Sequence, residues 1–291
     1  DQEGGLVDRM PPEVHRTPGA YAVGSTSDWD QGRALGAALA AECAGFGFHL
    51  DFAPVLDVWS NPDNTVIGKR AFGSDWKVVS GFGAAVSNAL QAAGVIPVVK
   101  HFPGHGDTVV DSHMGLPVVD KSLEDLSLQE LPPFRDLISG GETPSGRAEA
   151  VPAVMVAHIL MTQLDPDLPA SLSPAVVTDL LRGELGFGGV VFTDDLTMGA
   201  ITQNYGLGEA AVLAVEAGCD MLLVCHGRDS VDAARSALLE AAASGRISQA
   251  RLDESVRRIL SLKLEYSVSG EPVSAPDLNA LNALVDAVAA Q

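Results

Sequence analysis

The chain is poor in cysteine, in aromatic residues and in positive charge. Its three cysteines, Cys43, Cys219 and Cys225, lie in apolar surroundings. That number and context exclude a disulfide framework or a cysteine-based zinc site, and the residues read as buried thiols. Aromatic residues make up 5% of the 291 positions against 46% hydrophobic residues, so the core must be mainly aliphatic. Eighteen Lys and Arg face 38 Asp and Glu, for a formal net charge of −20. This balance excludes a nucleic-acid backbone as partner, because that binding relies on clustered cations. No apolar run approaches the roughly 20 residues needed to span a bilayer. No signal-peptide pattern opens the chain, and no G-x-G-x-x-G fingerprint follows a strand.

What is present is an alternation of apolar runs and helical patterns. The order predicts helices over 29–44 and 76–93, one from Ser122 to about Ile138, another from the Ser173-Pro174 start to about Gly186, and one over 207–218. Two more are expected over about 230–243 and 248–266, with a short helix from Pro276. Between them, 49–58, 95–99, 151–157, 188–193 and 219–225 read as buried strands, and the polar stretch 139–149 reads as a flexible insertion. Continuous apolar strands alternating with helices are the signature of a parallel sheet covered by helices. A doubly wound sheet and a (β/α)8 barrel both remain open on this pattern. Five clear strands, plus the last turn of a sixth at Asp1, fall short of the eight that close a barrel.

The chemistry concentrates at strand ends. Lys100-His101-Phe102-Pro103-Gly104-His105-Gly106 follows the run 95–99, and Asp111-Ser112-His113 comes soon after. Val190 to Thr193 runs straight into Asp194-Asp195. Two strands with polar residues at the same end point to one pocket. Asp194, held on a rigid strand end, is the candidate nucleophile for attack on a sugar C1. His113 suits proton transfer near neutrality, with Asp111 placed to orient its ring; on spacing alone a solvated loop is an equal reading. Lys100 and His101 could bind sugar hydroxyls, Lys100 alternatively serving as an internal ion-pair partner. Asp195 reads as structural, since adjacent strand residues face opposite sides. His101, His105, Asp111 and His113 hold the right atoms for zinc. However, Pro103 and Gly104 break the helix that would set His101 and His105 on one face. Asp1-Gln2-Glu3-Gly4-Gly5 reads by composition as a frayed terminus.

KHFPGHG followed by DSH, together with DQEGG, FAPVLDV, FTDDLTM and AGCDMLLVC, resembles the NagZ-type β-N-acetylglucosaminidases of glycoside hydrolase family 3. The resemblance runs from Asp1 to about Tyr266. It implies a single (β/α)8 domain over 1–291 whose first β/α units are missing from this chain. It also implies a retaining mechanism with Asp194 as nucleophile and His113, partnered by Asp111, as acid/base. Sugar-binding residues map to Asp1, Arg9, Arg70, Lys100 and His101. The implied substrate is a terminal β-linked N-acetylglucosamine, typically on muropeptides from peptidoglycan, with no metal or organic cofactor and no obligate protein partner. A β-glucosidase or broad hexosidase, and a catalytically silent sugar-binding barrel, are the alternatives. Leu6 departs from an Arg often seen there. Relatives include both exported lipoproteins and cytoplasmic enzymes, so localisation stays open.

Overall fold

The computed structural model describes residues 1–108, 111–112 and 114–289. Its frame is a five-stranded parallel sheet: β1 (Leu50–Asp51), β2 (Ile96–Phe102), β3 (Ala153–Val156), β4 (Val190–Asp195) and β5 (Met221–Leu223), adjacent in that order. Each connection is a helical crossover, as parallel neighbours require. Registers such as Val98 with Ala153 and Ala153 with Val190 align the strands so that their C-terminal ends open to the same side.

The period of two along each strand separates two cores. Val99, Val154, Val156 and Val191 join the main cluster under the helices. Ile96, Val98, Ala153, Met155, Val190 and Phe192 form a second cluster on the opposite face. Leu50 and Phe52 from the first strand's region and Met221 and Leu223 from the fifth pack on that same second cluster. The Phe52 ring, just past β1, meets Phe192 of β4 edge-on at 5.6 Å, whereas a flat sheet would hold those strands three spacings apart, so the sheet curls. The architecture is therefore α/β, a curled arc of the (β/α)8 class, with five strands supplied by the described residues rather than the eight of a closed barrel.

The helices form close to the predicted ranges. Trp29–Gly45 and Trp76–Ala92 start at Asp28 and Asp75, whose side chains accept N–H groups of the first turn. The expected helix from Ser122 begins with a capping box between Ser122 and Asp125. It is, however, two helices, Leu123–Gln129 and Pro132–Ser139. Pro132 and Pro133 have no N–H to continue the first helix, and they suit the first turn of the second. The stretch read as a flexible insertion folds as a small hairpin, Glu142–Thr143 against Gly146–Arg147. The strand expected over 49–58 shrinks to Leu50–Asp51 with one further bridge at Val55 to Lys100, because Pro54 cannot donate to a ladder. Residues 1–5 are ordered rather than frayed: Gly4 bridges to Val7 and both glycines take positive φ in a tight turn.

Candidate functional site

The strand period also sets the site. Phe192 faces the second cluster, so Asp194, two residues on, faces the same side; the register shifts between Phe192 and Asp195, and Asp195 also reaches the cavity. Asp194 lies at the floor of a cavity of about 430 Å³ at the C-terminal ends of the strands. Asp1, Arg9, Arg70, Lys100 and His101 line that same cavity. Residues from five separate stretches of sequence are thus brought together. Ser112 lines it too, next in sequence to Asp111, whose carbonyl accepts the Met114 and Gly115 N–H groups at 2.8 and 3.0 Å. His113 lies outside the described residues.

Asp194 Oδ1 accepts the Asp195 N–H at 2.8 Å. Burial pushes its carboxyl up. His101, His158, that N–H and Lys100 together outweigh burial and hold it below the usual carboxylate range. The group is therefore ionised at neutral pH. His158, at the end of β3, is fully buried beneath it: Nε2 donates to the Asp195 carbonyl at 3.0 Å, and Nδ1 accepts from Ser171 Oγ at 2.6 Å. Asp195, read from its alternation as structural, is held by the loops around it while also lining the cavity. Its oxygens accept the Thr197 and Cys225 N–H groups and meet His226 Nδ1 at 2.9 Å, tying the loop after β4 to the loop after β5.

The opposite wall is a lattice of alternating charge. Lys100 Nζ contacts Asp1 Oδ1 at 2.5 Å and Glu3 Oε1 at 2.7 Å. Arg70 grips Glu3 through both carboxylate oxygens, at 2.7 and 2.9 Å, a bidentate fork that fixes its plane. Lys100 is thus both things the sequence left open, an internal ion-pair partner and a cavity-lining cation. Burial opposes the charge of Glu3, but Lys100 and Arg70 overcome it and push its carboxyl well below the ordinary range. Asp57, fully buried, faces His101 Nδ1 at 2.6 Å and accepts the His105 N–H at 2.6 Å. With Nδ1 so occupied, His101 turns Nε2 toward Arg70 NH2, 3.4 Å away. His105 spends its ring on Thr108 Oγ1 at 2.7 Å and Ser112 Oγ at 3.1 Å, and burial lowers its pKa to about 4. It is a neutral strut between the strand end and the 111–112 segment. Among the described residues, no group of three or more His, Cys, Asp or Glu side chains is arranged to hold a metal ion.

Arg9 is the outermost of these groups, with its side chain 64% exposed and NH2 3.2 Å from Asp1 Oδ2. Its backbone is held from beneath. Gln2, buried, accepts the Arg9 N–H at 2.7 Å and donates to Asp8 and to Glu42 at 3.0 and 2.8 Å. Leu6 is exposed and does not line the cavity.

Both the sequence and the fold match known proteins. Residues 1–262 match the glycosyl hydrolase family 3 N-terminal domain. The chain belongs to glycoside hydrolase family 3. Within it, the chain is 38% identical over 270 residues to the β-hexosaminidase LpqI of Mycobacterium tuberculosis, covering 90% of this chain and 66% of that one. It is 38% identical over 232 residues to a β-hexosaminidase of Stenotrophomonas maltophilia, covering 78% and 66%. Its fold matches the solved family 3 β-N-acetylglucosaminidase of Paenibacillus sp. FPU-7 with a TM-score of 0.92 at 43% identity, over 99% of this chain and 54% of that one. The chain thus spans just under two thirds of the length of these curated relatives.

In this family 3 chain the sequence reading missed the residues that hold the lining groups. Glu3 and Asp57 carry the cation wall and His101, yet each sits in a motif quoted for other reasons, DQEGG and FAPVLDV. The loop after β5, with Cys225 and His226, also lines the cavity. Its signal is in the sequence: the run 219–225 leads straight into His226, as 95–99 leads into Lys100-His101.

Proposed function

We propose that this chain carries the active site of a retaining exo-β-N-acetylglucosaminidase. One observation carries the reading: an ionised carboxylate, Asp194, in a cavity also lined by Asp1, Arg9, Arg70, Lys100 and His101. The cavity volume suits one small ligand. Carboxylates and cations in alternation suit the donors and acceptors of sugar hydroxyls. Relatives described as β-hexosaminidases and a solved β-N-acetylglucosaminidase support the sugar assignment.

In the reaction, Asp194 attacks C1 of a terminal β-linked N-acetylglucosamine. The C1–O bond to the aglycone breaks, and His113, oriented by Asp111, gives its proton to the departing oxygen. A glycosyl ester on Asp194 results. His113 then takes a proton from water, whose oxygen attacks C1 and frees Asp194, so configuration is retained. Asp1, Arg9, Arg70, Lys100 and His101 bind the sugar hydroxyls and fix C1 over the carboxylate. Muropeptide fragments of peptidoglycan are the natural substrates in this reading, and no organic cofactor enters it.

The test is hydrolysis of an aryl β-N-acetylglucosaminide by the full-length protein and its Asp194→Asn variant, with a slow fluorinated glycoside as a covalent trap. The expected loss in the variant is on the order of 10⁴-fold or more, with the trap found on the peptide containing Asp194. A variant that keeps the wild-type rate, or a trap on another residue, overturns the assignment.

A further inference from the structure

The segment carrying Arg9 is held from outside by the last helix, Leu278–Ala289, which lies beyond residue 262 where the family match ends. Leu281, Val285 and Val288 are spaced for one helix face and are buried. They seat the helix against Trp29–Gly45. The polar side of the helix reaches the 8–17 loop. Asn282 Oδ1 accepts the His15 N–H at 2.8 Å, and Asn282 Nδ2 donates to the Glu13 carbonyl at 3.0 Å. Asp286 Oδ1 stands 2.7 Å from His15 Nδ1. One side-chain amide thus serves two backbone groups of the loop at once.

The rest of the loop transmits that hold inward. Gly5 N–H bonds the Thr17 carbonyl at 3.1 Å and closes the neck. Arg16 Nε lies 3.3 Å from Asp8 Oδ2, and Asp8 Oδ1 accepts the Met10 N–H at 3.0 Å. Pro11 and Pro12 remove φ freedom between Met10 and the clamped residues, and Val14 is buried as an anchor. Arg9 sits between this clamped arm and the Gln2 contact beneath it. An exposed arginine gains affinity for a ligand when its backbone is ordered before binding rather than by it.

We infer that Asn282 is a positioning residue for Arg9, and that the terminal helix sets the affinity of the cavity for sugar by holding the 8–17 loop. The inference rests on the glycosidase reading above. Its test is steady-state kinetics of the full-length protein on the aryl β-N-acetylglucosaminide, for wild type, Asn282→Ala, Arg9→Ala and the double variant, with thermal melting of each. Asn282→Ala is expected to raise KM about three- to tenfold, the worth of one or two partly exposed hydrogen bonds, with kcat and the melting midpoint nearly unchanged. In the Arg9→Ala background the same substitution is expected to change KM little, because the group it positions is gone. Asn282→Asp, which keeps the acceptor for the His15 N–H but sets a carboxylate oxygen against the Glu13 carbonyl, is expected to raise KM at least as much as Asn282→Ala. Equal KM effects in both backgrounds, or a fall in kcat and melting midpoint with KM unchanged, overturn the positioning role while leaving the glycosidase reading intact. A folded wild type that does not hydrolyse the glycoside overturns that reading, and this inference with it.

Discussion

Asp57 shows how one buried charge organises a wall of the site. It faces the His101 ring and two backbone N–H groups, those of His101 and His105. Burial pushes its carboxyl up, but the two histidines and these bonds pull it further down, so it is ionised and the His101 Nδ1 proton has a fixed acceptor. The other ring nitrogen is then free to accept from Arg70. Replacing Asp57 with Asn puts a donor where the carboxylate oxygen was and favours the opposite tautomer, which points an N–H at the Arg70 guanidinium. The expected outcome for Asp57→Asn is a fall in kcat/KM of about 10- to 100-fold, the cost of a charge-assisted hydrogen bond. Unchanged kinetics on the aryl glycoside would show that the orientation of His101 is immaterial.

At the scale of elements, the site depends on how closely the loops after β1 and β2 approach. Asn61 N–H bonds the Gly106 carbonyl at 3.3 Å, and Asn64 Nδ2 reaches the His105 carbonyl at 2.7 Å. Gly106 lies so near the Val58 carbonyl that any Cβ there would overlap it. The glycine in the His-rich motif is therefore a matter of space between two backbones. Gly106→Ala must displace the 101–106 loop or the 57–61 loop, moving His101 and the 111–112 segment together. A displacement of about 1 Å at reacting groups costs on the order of 100-fold in rate. That loss is expected in kcat/KM with the helical circular dichroism unchanged; a variant with wild-type kinetics would place the tight approach outside the chemistry.

At the scale of the whole molecule, buried titratable groups pull stability in opposite directions with pH. Burial, with Asp8 and Asp51 nearby, raises Glu42 to about 7 from 4.5. The unfolded chain gives up that proton first, so Glu42 costs stability as pH rises from about 4.5 to 7. His105 behaves in reverse: with a folded pKa of about 4 against 6.5, it costs stability as pH falls from about 6.5 toward 4. The depressed carboxyls of Asp57, Asp194 and Glu3 add to the loss on the acid side. Glu42→Gln removes only the first effect. Its stability relative to wild type, from urea unfolding, is expected to improve by on the order of 3 kcal/mol between about pH 4.5 and pH 7. A difference that stays constant with pH would mean that Glu42 is already ionised in the fold.

The sequence by itself determined most helices and the centres of most strands, because apolar runs and caps are local signals. It placed Asp194 on a strand end and named Asp1, Arg9, Arg70, Lys100 and His101, which do share one cavity. The motifs were legible because strand-end chemistry interrupts an otherwise apolar pattern. What only the tertiary structure decided are the relations between distant stretches. Asp57 beneath His101, Glu3 between Lys100 and Arg70, and Asn282 on the Arg9 loop are separated by up to some 270 residues. Each of these partners is a polar residue in an unremarkable local setting. For Asp57 and Glu3 the role comes from burial, which makes an unpaired charge costly and so favours an arrangement that gives each of them a partner.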